Sequence, residues 1–108
     1  MDQSKELFDK IAHDLAADDS SVKPGKLFGS PCIKTNGKAF ATYSKEGDLV
    51  VKLMGKSHAH ALGLAGAKLF DPGMGRAMKE WVQVPFTHAA EWPDLAADAL
   101  EYVTALQK

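Results

Sequence analysis

The chain has 108 residues, which leaves room for one domain (1–108) and one core. A net charge of −1 argues against a generic nucleic-acid-binding surface, which normally carries a clear basic excess. The single cysteine, Cys32, excludes an internal disulfide framework, and no apolar run approaches the roughly 20 residues needed to span a bilayer. The opening "MDQSKELFDK" lacks an apolar segment of signal-peptide type, so a reducing cytoplasm is the expected compartment.

Residues 2–17 read as a helix, because Leu7, Phe8, Ile11 and Leu15 fall on one stripe with charges opposite. "ADDSSVKPGK" breaks that helix with polar residues, Pro24 and Gly25. Between Lys26 and Met54 the pattern becomes strand-like, in "KLFGSPCIKT", "KAFATY" and "DLVVKLM". "NGK" separates the first two runs, and Asn-Gly tolerates the positive φ of a type I′ hairpin turn. "KEGD" separates the second and third, giving a three-stranded antiparallel meander.

Residues 57–64 predict a short helix with Ser57 as its N-cap. "GAKLFDPGMGR" reads as a connector holding a brief strand at 68–70. In "AMKEWVQVPF", Met78, Glu80, Val82 and Val84 alternate with Trp81 and Gln83, a strand that Pro85 ends. Residues 94–107 form a second amphipathic helix, with Leu95, Ala99, Val103 and Leu106 inward and Pro93 suited to its first turn. Helices flanking one antiparallel sheet make an α+β domain.

"LVVKLMGKSHAHAL" contains Gly-Lys-Ser after an apolar run, as at the end of a phosphate-binding loop. The first glycine of that motif would fall at Val50, and Val51–Met54 are strand-forming, so no phosphate cradle forms. Lys56 beside a helix start is then a surface lysine or a minor anion contact. His58 and His60, at i and i+2, diverge on a helix and do not share a metal. Cys32 is a small buried or half-buried thiol, since nothing nearby marks it as a nucleophile.

The most distinctive stretch is "FDPGMGRAMKEW". Gly73, Gly75 and Arg76, the chain's only arginine, could grip a carboxylate or phosphate there; the plainer account is a glycine-rigidified loop. Trp81 and Trp92 are candidate partner anchors, with at least one expected in the core.

"KLFGSPCIKTNGKAFATY", "LVVKL", "GAKLFDPGMGRAMKEWVQVP" and "WPDLAADALEYV" together resemble the N-terminal domain of the TfoX/Sxy proteins, in particular their short single-domain members. The resemblance covers about Lys26 to Val103 and implies a YjbR-like fold: a curved antiparallel sheet of about 4–6 strands flanked by N-terminal, short middle and C-terminal helices. Two-domain members are bacterial competence regulators thought to act with a DNA-bound activator rather than as enzymes. The family supplies no accepted catalytic residues to carry over, and the residues themselves lead to no expectation of a metal or cofactor.

Three functional classes follow. A non-enzymatic regulatory or protein-interaction module would dock through a sheet face, a sheet edge or the 70–81 loop, with a transcription regulator as partner or a second copy paired through an open edge. A nucleic-acid-binding module would use Lys23, Lys26, Lys34, Lys38, Lys45, Lys52 and Lys56, interleaved with Phe28, Phe40 and Tyr43. A small-anion or ligand site would lie at Gly73–Arg76, with Lys56, Gly75 and Trp81 as further candidates.

Overall fold

The computed structural model describes residues 3–27, 30–71, 75 and 78–106. Helix α1 spans Gln3–Asp18 and is followed by strands β1 (Val22–Leu27), β2 (Ser30–Thr35), β3 (Lys38–Tyr43) and β4 (Leu49–Lys52). Helix α2 (Lys56–Leu62), strands β5 (Lys68–Phe70) and β6 (Met78–Val84), a 3₁₀ segment at Phe86–Glu91 and helix α3 (Trp92–Leu106) complete the chain. The strands form one antiparallel sheet in the order β1-β2-β3-β4-β6-β5, curved and unclosed, so the domain is α+β as expected.

The Asn-Gly hairpin forms as the sequence predicts: Asn36 and Gly37 have φ of 49° and 82°, and Thr35 faces Lys38. Strand β1 departs from expectation, since "VKPGK" reads as a break. Pro24 is tolerated because β1 is an edge strand, where a missing N–H leaves no ladder gap on the open side. Gly25 is tolerated because the Lys34 side chain lies across it; an added Cβ would meet Lys34 Cε at 2.8 Å. At the start of α2 the expected N-cap is corrected. Gly55 holds that position with φ of 69°, and Ser57 lies inside the helix, where its hydroxyl donates to Asp98 Oδ2 at 3.2 Å.

One side of the sheet packs against all three helices. Ile33, Ala41, Tyr43, Leu49, Val51, Val82 and Val84 face Phe8 and Ile11 of α1, Ala61 of α2, and Leu95, Ala99 and Val103 of α3, in one cluster. Each large aliphatic or aromatic side chain removed from water here contributes roughly 1.5–3 kcal/mol. A bulge between β2 and β3 pairs Ile33 with Ala41 and Lys34 with Ala39, so Phe40 is the extra residue and turns into the same core. Polar ties fasten the layers: Ser4 Oγ and Tyr43 OH hydrogen-bond at 2.6 Å, the Tyr102 hydroxyl donates to Glu80, and Trp92 Nε1 donates to the Pro85 carbonyl at 3.2 Å.

Candidate functional site

Strand alternation puts a second set of residues on the sheet side away from the helices. Cys32, Thr42, Val50 and Gln83 stand in successive register across β2, β3, β4 and β6. All four are buried, yet neither Cys32 nor Val50 belongs to the helix-side core. The polar members are satisfied: Thr42 Oγ1 donates to the Pro31 carbonyl and Gln83 Nε2 to Asp48 Oδ2, both at 2.7 Å. Burial pushes the Cys32 thiol pKa up, with the Lys34 ammonium opposing in part.

Around this floor the register arranges lysines. Lys23 of β1 stands directly opposite Lys34 of β2, Lys52 of β4 is paired with Trp81 of β6, and Lys68 of β5 with Gln83. Adjacent strands lie about 4.8 Å apart, so Lys34 and Lys52, two strands apart, are on the order of 10 Å from each other across the sheet. Like charges directly opposite on an antiparallel pair are destabilising. Among the described residues none of these four lysines makes an ion pair; the ion pairs join Lys5 to Asp9, Lys10 to Asp14, His13 to Asp14 and His60 to Glu91, and the Asp48 carboxylate on this side is held by Gln83.

Charge is therefore divided by layer. The six strands carry seven lysines and one acid, Glu80, whereas α1 and α3 together carry two lysines and seven acids. The fold stacks α1 and α3 on the same side of the sheet, so the two segments' excess of acid collects in one helical layer and the excess of lysine stays with the sheet.

Of the residues the sequence singles out, Lys56 is exposed and opens the seven-residue α2, away from the lysine row on the strands. Gly75 is exposed with φ of 73°, while Gly73 and Arg76 lie outside the described residues. Trp81 and Trp92 are both buried, so neither is an exposed anchor: Trp81 lies on the lysine side of the sheet, and Trp92 fills the helix-side core. The aromatics expected to interleave with lysines do not stand beside them. Phe40 and Tyr43 point into the helix-side core, and Phe28 lies outside the described residues.

Three of the four histidines fasten one element to another. His58 Nε2–H donates to the Lys79 carbonyl and His88 Nε2–H to the Ala65 carbonyl, each at 2.8 Å, and His60 Nε2 meets Glu91 Oε1 at 2.6 Å. Among the described residues no cluster of three or more metal-ligating side chains occurs. A shallow groove of about 160 Å³ lies between α1 and the start of α3, lined by Leu7, Lys10, Ile11, Asp14, Leu15 and Pro93. Its lining is mostly apolar and brings together no converging polar groups beyond the Lys10–Asp14 pair.

The lysines are legible in the sequence but their grouping is not, because β1 does not read as a strand and its register against β2 is what sets Lys23 opposite Lys34. Comparison with known proteins adds no assignment: no family model, curated protein or solved structure matches the chain.

Proposed function

We propose that this domain is a non-enzymatic protein-interaction module that docks a carboxylate-bearing partner on the lysine side of its sheet. The observation that carries the reading is Lys23 opposite Lys34 in the β1–β2 register with neither in an ion pair among the described residues, an arrangement that costs stability in the free protein and that a bound anion relieves. Lys52 and Lys68 extend the same field along the sheet. The TfoX/Sxy resemblance supports the biological half of the proposal: a bacterial, cytoplasmic regulator whose partner is a protein such as a transcription regulator. A phosphate-led nucleic-acid mode would use the same lysines but lacks the stacking aromatics, since Phe40 and Tyr43 are turned into the core.

Lys23→Glu tests the proposal. The new carboxylate faces Lys34, so the variant should be as stable as the parent or more stable by about 0.2–1 kcal/mol. In pull-downs from nuclease-treated lysate of the native host, a stoichiometric protein retained by the parent should be lost from this variant. Undiminished capture by a folded Lys23→Glu protein would refute docking at this face. Retention of nucleic acid in place of protein, weakening as salt rises, would favour the phosphate-led mode.

A further inference from the structure

We infer that the lysine side of the sheet also docks the acidic helical layer of a second copy of this chain, head to tail. The inference rests on the reading of that face as a docking surface and adds an occupant whose chemistry is on the molecule itself. Glu6 and Asp18 of α1 and Asp94 and Glu101 of α3 are exposed, and none makes an ion pair among the described residues. These carboxylates complement Lys23, Lys34, Lys52 and Lys68, none of which makes an ion pair among the described residues.

Geometry selects the mode of contact. A two-fold pairing of like faces would oppose lysine to lysine or acid to acid, so the contact must be heterologous, joining different faces of successive copies. Pairing through the β1 edge is disfavoured because Lys23, Pro24 and Lys26 are all exposed there, the residues that blunt an open strand. A net charge of −1 leaves little overall repulsion between copies, so the local fields decide. The helical layer of one copy then competes with a foreign acidic partner for the lysine face of the next.

Sedimentation velocity on the full chain tests this. At low salt, on the order of 20 mM where the Debye length exceeds 20 Å, the average mass should rise with protein concentration above the monomer's 11.6 kDa. It should return to the monomer value near 0.5 M salt. Lys23→Glu/Lys52→Glu and, separately, Asp94→Lys/Glu101→Lys should each stay monomeric, and mixing the two should restore association. Each variant's fold is checked by circular dichroism; if the first is unfolded, Lys23→Glu/Lys68→Glu replaces it. A parent that is monomeric at every concentration in low salt, assembly indifferent to salt, or a mixture that stays monomeric would overturn the inference. A monomeric parent that still captures a foreign protein through Lys23 would overturn self-docking alone and leave the docking face intact.

Discussion

Replacing Gly47 with alanine perturbs the β3–β4 turn in two separable ways. The residue has φ of 85°, so an L side chain there costs about 1–2 kcal/mol in backbone strain. Its Cβ would also stand 3.2 Å from Ser4 Oγ and 3.4 Å from Tyr43 OH, the pair whose 2.6 Å hydrogen bond ties α1 to β3. Displacing that bond adds about 0.5–1.5 kcal/mol, for a total of about 1.5–3.5 kcal/mol. Gly37 supplies the control, because its φ of 82° is nearly the same while a Cβ there meets nothing within 4 Å. Gly37→Ala should therefore lose only the backbone component. Urea denaturation followed by circular dichroism gives both values. Equal losses, or a larger loss at Gly37, would refute the close-approach account of Gly47.

Two further outcomes concern titratable groups. The Glu91 carboxylate raises the His60 pKa above its ordinary 6.5, first through their hydrogen bond and then through its charge. The folded-state pKa is the higher one, so this contribution is full below the unfolded pKa and fades as pH rises through the folded one. The melting temperature of the parent should exceed that of His60→Gln at about pH 5.5 and converge with it by about pH 8.5; a gap that is the same at both would refute the pairing. Cys32 is 2% exposed with a raised pKa, so alkylation at neutral pH should be roughly a hundredfold or more slower than in the denatured chain.

Much of the architecture is written in local pattern. The stripe of Phe8 and Ile11, the Asn36-Gly37 turn and the alternation of Met78, Glu80, Val82 and Val84 each specify an element through near-neighbour physics, and each forms as read. Strand β1 was not legible, because Pro24 and Gly25 are breakers by propensity and only an edge position and the Lys34 side chain make them acceptable. The facing of Phe40 was not legible either, since alternation alone puts it opposite Ala41 and the bulge reverses that.

The sequence by itself determined that lysines concentrate in the middle of the chain and acids towards both ends, because that is a property of order along the chain. Tertiary structure decided what the division means. Burying the apolar stripes of α1 and α3 against one side of the sheet draws the two acidic segments into one layer. The β1–β2 register then sets Lys23 against Lys34 on the opposite side. That juxtaposition depends on which strands pair and in what register, which long-range backbone hydrogen bonding and burial fix together and no local stretch encodes.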